Sequence, residues 1–222
     1  MNTLNAITTD GAPRRNFFRL AGATVLGLAG LASAASRAQA TPPEADDGPN
    51  WPGKLDGRHR QLVDAFTVND GRPLVFAQAF LLTDAAPGSA TSVVILRAQA
   101  LPIALKSAMW EKYKIGESFK IIDPETKASA VKNPFLNPKP GVLIMDDMAV
   151  DRLLGNGAVL GACNLALHNL SKQLAGNAGV SADDAAKEWA ANLVPGITLL
   201  PSGVWGLNRA QEGGCTYCSG GG

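Results

Sequence analysis

The sequence predicts an α/β fold: a single small domain with a mostly parallel, doubly wound sheet of about four or five strands and helices on both faces. Three observations lead there. Short apolar runs alternate along the chain with longer segments of helical periodicity, the pattern of strands joined by helical crossovers. The cleanest run, Thr91 to Arg97, is β-branched and continuously apolar, as a strand covered on both faces must be. Finally, of 222 residues the 182 beyond residue 40 can bury one core without staples.

Residues 41–57 carry four prolines with acids between them and read as a linker. Gln61 to Phe66 is a short strand closed by the turn residues Asn69-Asp70-Gly71. Pro73 to Thr83 is apolar nearly all round; its length, its alanines and a proline at the first helical position favour helix. After the Thr91 strand, Leu101, Leu105, Met109 and Tyr113 recur every four residues and predict a helix over 101–113. Residues 116–141 form a long Pro-rich excursion of the kind that is more often functional or mobile than idle.

Asp147 to Leu154 reads as a short helix and Ala158 to Cys163 as a buried strand. Cys163, Leu167, Leu170 and Leu174 mark one face of the next helix. Ser181 with Asp184 is an N-cap pattern for a helix that buries Ala182, Ala185, Trp189 and Leu193. Ile197 to Leu200, fenced by Pro-Gly and Pro-Ser, is another buried strand, and Gly203 to Glu212 a final helix. The domain thus spans 58–212, followed by a Gly-rich tail, 213–222.

At the other end stand Arg14-Arg15-Asn16-Phe17-Phe18-Arg19, an Ala/Gly/Leu-rich run from Leu20 to Ala35, and Ala38-Gln39-Ala40. Together they resemble a twin-arginine (Tat) export signal over residues 1–40. The apolar run has 16 residues, short of the roughly 20 that cross a bilayer. The resemblance implies passage through the Tat translocase, cleavage after Ala40, a periplasmic product and no membrane attachment afterwards. Without Arg14, Arg15, Arg19, Arg37 and Asp10, the totals of 20 basic and 19 acidic residues fall to a formal balance of −2. That charge, with no basic cluster interleaved with aromatics, excludes a nucleic-acid binder.

The turns after three strands should meet at the carboxyl edge of the sheet, where open α/β folds bind ligands. They hold Arg97, Cys163-Asn164 and Ser202. Cys163, between a strand end and a helix start, faces unpaired N–H groups and the positive helix end, which suits a nucleophilic thiol; a small packed core residue is the alternative. His168 lies five residues on, about 140° around a helix from Cys163, and points elsewhere. The odd count of three cysteines leaves at least one thiol outside any internal disulfide. Cys215-Thr216-Tyr217-Cys218 in the tail is a candidate redox or disulfide pair, or half a site for a soft metal ion, the one cofactor class the residues suggest. Asp146-Asp147 and Asp183-Asp184 fall at helix starts and serve the helix dipole.

From Ser92-Val93-Val94-Ile95-Leu96-Arg97 through Trp110-Glu111-Lys112-Tyr113, Asn133-Pro134 and Gly161-Ala162-Cys163 to Pro201-Ser202-Gly203 and Ala210-Gln211-Glu212, the chain resembles the DsrE-like superfamily over most of residues 58–218. The resemblance implies a Rossmann-like sheet, frequent homo-oligomers and a sulfur-relay role, with a cysteine after a strand carrying persulfide sulfur. Only Cys163 matches that position. The implied partners are a small sulfur species or a thiol partner protein. Relay members are cytoplasmic, and the Cys215/Cys218 pair is no part of their pattern.

N-terminal sequencing of the protein recovered from the periplasm is expected to begin at Thr41. Arg14→Lys with Arg15→Lys should leave the uncleaved chain in the cytoplasm; periplasmic delivery of that variant would refute the export reading.

Overall fold

The computed structural model describes residues 50–53, 55–83 and 88–221; residues 1–40, on which the expectation of export rests, and most of the lead-in lie outside the described residues. Five strands pair in parallel: β1 (His59–Ala65), β2 (Ala90–Leu96), β3 (Val159–Cys163), β4 (Ile197–Leu200) and β5 (Thr216–Ser219), in the order β4-β3-β2-β1-β5. Seven α-helices accompany them among the described residues: α1 (Arg72–Thr83), α2 (Ser107–Lys112), α3 (Ile115–Phe119), α4 (Val150–Gly155), α5 (Asn164–Ala178), α6 (Ala182–Ala191) and α7 (Gly203–Glu212). The α/β class with a parallel sheet covered on both faces is therefore as the sequence predicts.

The two faces are unequal. Val63, Ala65, Val94, Leu96, Leu160 and Ala162 face the larger core, shared with Leu74 of α1, Leu167 of α5 and Trp189 of α6. Leu62, Val93, Ile95 and Leu200 face a smaller one, roofed by Ala210 of α7 with Trp51 and Leu55. Strand alternation dictates this division, because successive side chains point to opposite sides. The topology agrees with it: β1 to β4 step in one direction, and the return to β5 beside β1 sends α7 over the other face.

Three expectations are corrected. The lead-in is not all linker, since Trp51 and Leu55 are buried, the Trp51 ring lying against Gly161 and Gly206. Residues 101–113 are not one helix: a 3-10 turn over Ala98–Ala104 gives way to extended Leu105 and Lys106 before α2. Tertiary pairing breaks it, for Leu105 bridges Leu193 and Lys106 N–H donates to Asn192 O at 3.0 Å. The four-residue repeat still marks burial, because Leu101, Leu105, Met109 and Tyr113 all lie in the core. Third, the tail does not follow the last element; its residues 216–219 are β5, paired along β1.

The excursion after α3 is held by specific bonds. Asn133, nearly fully buried, donates through Nδ2 to Ile103 O (2.9 Å) and Leu105 O (2.8 Å), and its Oδ1 accepts from Phe135 N–H at 3.0 Å. Gly116 lets residue 130 cross close by: any Cβ there would overlap the Ala130 backbone.

Gly116→Ala is expected to cost about 1–3 kcal/mol through overpacking against an unyielding backbone. Gly155→Ala, whose Cβ would meet nothing within 4 Å, serves as the control and should be neutral or stabilising. Urea unfolding of both variants checks this, and equal stabilities would refute the close approach.

Candidate functional site

A carboxylate buried in a sheet is costly unless it is paired and hydrogen-bonded. Asp64 on β1 is such a group, 6% exposed and in register with Ile95. Arg97, one residue past β2, answers it with a two-point bond: Nε to Oδ1 at 2.6 Å and Nη2 to Oδ2 at 2.8 Å. Tyr217 of β5 donates its phenol to the same Oδ2 at 2.9 Å. The guanidinium also stacks over Phe66, 4.6 Å from the ring centroid. Asp64 thereby ties together residues of β1, β5 and the turn after β2.

The charges respond accordingly. The Arg97 pKa is raised, first by the hydrogen bond to Asp64, against the opposing effect of desolvation, with the Asp64 charge and nearby Tyr217 and Cys163 adding to it. Hydrogen bonding to Asp64, then burial and the carboxylate's charge, push the Tyr217 phenol up.

Local backbone holds the arginine in place. Ala98 adopts φ 45°, a left-handed conformation that costs a non-glycine residue about 1–2 kcal/mol. It turns the chain away directly after Arg97, whose N–H is bonded to Ala65 O at 3.0 Å. From the other side Gly203 closes in; a Cβ there would stand 2.7 Å from Arg97 Cβ.

Cys163 ends β3 and caps α5. With φ −76° and ψ 114° it is still extended, and its Sγ accepts the Ala166 N–H at 3.4 Å. Because Leu96 pairs with Ala162 and Cys163 with Leu200, Arg97 and Cys163 stand level on adjacent strands, which run about 4.8 Å apart. Cys163 is 6% exposed: largely covered, but at the edge rather than mid-strand. Asn164 opens α5 half-buried beside it. Ser202 caps α7, its Oγ accepting Trp205 N–H at 3.1 Å, so its oxygen supports the helix while its hydroxyl proton can still be donated. His168 is exposed on α5, consistent with the angular argument against a Cys163–His168 dyad.

The structure thus brings together Arg97, Cys163 and Ser202 and excludes the terminal pair. All three cysteines are free thiols. Cys215 is buried in the smaller core, whereas Cys218 is aligned with Val63, which faces the larger one. Three steps of extended chain separate them by about 10 Å and turn their side chains to opposite faces. A disulfide spans at most about 7 Å between Cα atoms, so in this conformation the two neither bridge nor share one metal ion. Nor do they resolve Cys163, since β2 and β1 stand between β3 and β5. Burial pushes the Cys215 thiol up, countered in part by Arg60.

Sequence reasoning missed Asp64, Phe66 and Tyr217. The available signal was Asp64 itself, a lone charge inside an otherwise apolar strand, which requires a buried partner. Tyr217 was hidden within the cysteine motif.

No family model and no curated protein matches the chain. Among solved structures it is similar to that of MTH1491, a protein of unknown function from Methanobacterium thermoautotrophicum. The two are 15% identical with a TM-score of 0.40, over 72% of this chain and 98% of that one. No helix among the described residues is long and apolar enough to cross a membrane.

Iodoacetamide at neutral pH is expected to label Cys218 well before Cys215 in the folded chain, since Cys215 is covered and its thiol is held protonated. Mild oxidation should leave no Cys215–Cys218 bond in peptide maps; a rapid, quantitative bond would show that β5 is not a stable strand.

Proposed function

We propose that the protein is an exported thiol protein that takes up sulfane sulfur and hands it on through a persulfide on Cys163. The observation that carries this reading is the position of Sγ at the cap of a 15-residue helix, with Arg97 level on the next strand. The resemblance of the strand-end cysteine to the relay position supports it.

The chemistry balances without an external oxidant or reductant. The Cys163 thiolate attacks the outer sulfur of a hydropersulfide R–S–SH; the donor S–S bond breaks, RS⁻ leaves, and Cys163–S–SH forms. An acceptor thiolate then attacks the outer sulfur and regenerates Cys163. In both steps negative charge passes across sulfur atoms at the edge, where the α5 N-terminus and a guanidinium present positive potential. Asp64 and Tyr217 hold that guanidinium; they are positioning residues. Near-complete burial of Cys163 restricts approach to a small or extended donor, and Arg97, level with Cys163 on the adjacent strand, adds positive potential to this edge even though its guanidinium is bonded to Asp64.

Intact and peptide mass spectrometry of the mature chain after exposure to inorganic polysulfide, without reductant, tests this. One added sulfur on the Cys163 peptide is expected, retained in a Cys215→Ser/Cys218→Ser variant and absent from Cys163→Ser. Arg97→Gln should slow uptake by about tenfold, the equivalent of ~1.4 kcal/mol in the barrier. Equal sulfur uptake by Cys163→Ser would end the proposal.

A further inference from the structure

The excursion between α3 and α4 builds a cavity that the sulfur chemistry does not use. Its volume is about 250 Å³, and its walls include Ile122, Phe135, Leu143 and Met148, with Asp70 and Lys127 also lining it. The volume lies just below the roughly 300–1,000 Å³ of drug-sized pockets, so it suits a small ligand. Phe135, Leu143 and Met148 are buried, whereas Ile122 is half exposed at the opening. The wall is preformed: Ile122 bridges Ser129, and Asp123 Oδ1 accepts from the N–H groups of Glu125 (2.8 Å) and Thr126 (3.4 Å), fixing the turn that carries Lys127.

The charges around this cavity sort into two groups. Glu125 is paired with Lys139 and Lys132, Asp147 with Arg152, and Asp146 accepts the Gly141 N–H. Asp70 and Lys127 line the same cavity, yet neither has a side-chain partner among the described residues and no ion pair joins them. Both also hold left-handed backbone, φ 51° and 60°, a conformation that Asp tolerates and Lys adopts rarely. Asp70 and Lys127 are both exposed at the mouth of this small apolar cavity, and a carboxylate and an ammonium without a protein counterion there are complementary to a ligand that carries both opposite charges on one apolar body.

We infer that this cavity binds a free α-amino acid with an apolar side chain. The ligand ammonium meets Asp70, its carboxylate meets Lys127, and its side chain lies against Ile122, Phe135, Leu143 and Met148. An anion alone would leave Asp70 unanswered, and a cation alone would leave Lys127 so. The site stands apart from the Cys163 proposal: Cys163→Ser should bind the amino acid as the unaltered chain does, so the two readings can fail separately.

Isothermal titration calorimetry of the mature chain with L-leucine is the test, with octanoate and leucinamide as probes lacking one charge each. Leucine is expected to bind once per chain and more tightly than either. Asp70→Asn, which keeps a residue tolerant of left-handed backbone, and Lys127→Gln should each weaken it about tenfold or more, the usual scale for losing a charged hydrogen bond. Circular dichroism confirms that the variants are folded. Absence of leucine binding at millimolar concentration, octanoate or leucinamide binding as tightly as leucine, or unchanged affinity in both variants would overturn the inference.

Discussion

The organisation of the carboxyl edge depends on the pairing of Asp64 with Arg97. A carboxylate buried in a sheet would be expelled or protonated without a strong partner, and the two-point bond from the guanidinium supplies one across β1 and β2. Everything around it follows that requirement: the left-handed turn at Ala98, the bare backbone at Gly203 and the Phe66 ring beneath the cation. Tyr217 extends the same network to the last strand. Such a pair does more to fix geometry than to add net stability, since desolvation consumes much of the Coulombic gain. It fixes where the Arg97 guanidinium stands at the end of β2.

The fold was legible because its strongest signals are local. The β-branched run at residues 91–97 and the cap at Ser181 could each be read from a few neighbouring residues, and Ser181 does accept the Asp184 N–H. What was not legible rests on contacts between distant segments. Residues 101–113 keep the spacing of a helix, but strand-like bonds to 192–194 claim the backbone at Leu105 and Lys106. Residues 216–219 sit among glycines and look like a tail; only β1, some 150 residues earlier, makes them a strand. Trp51 lies among prolines that suggest solvent, yet its ring fills the space left by Gly161 and Gly206.

The same distinction applies to the site. Arg97, Cys163 and Ser202 could be placed at one edge because each ends or follows a strand, and topology alone brings such positions together. Asp64 and Tyr217 could not be assigned, since neither lies in a turn and their partnership crosses 153 residues. Cysteine spacing proved a poor guide because its meaning depends on conformation. Two residues between cysteines close a loop in a turn or helix start, but hold the sulfurs apart in an extended strand.

Pairing of the first strand with the last has a consequence for biogenesis. While the ribosome is still making α7, one side of β1 has no neighbour, and the Asp64 carboxylate lacks its phenol donor. Sheet closure therefore waits for residues 216–219, some 150 residues after the strand they pair with. A transport machine that accepts only completed domains would encounter this chain with its edge already sealed, whereas one that threads polypeptide during synthesis would have to leave that closure to the far compartment.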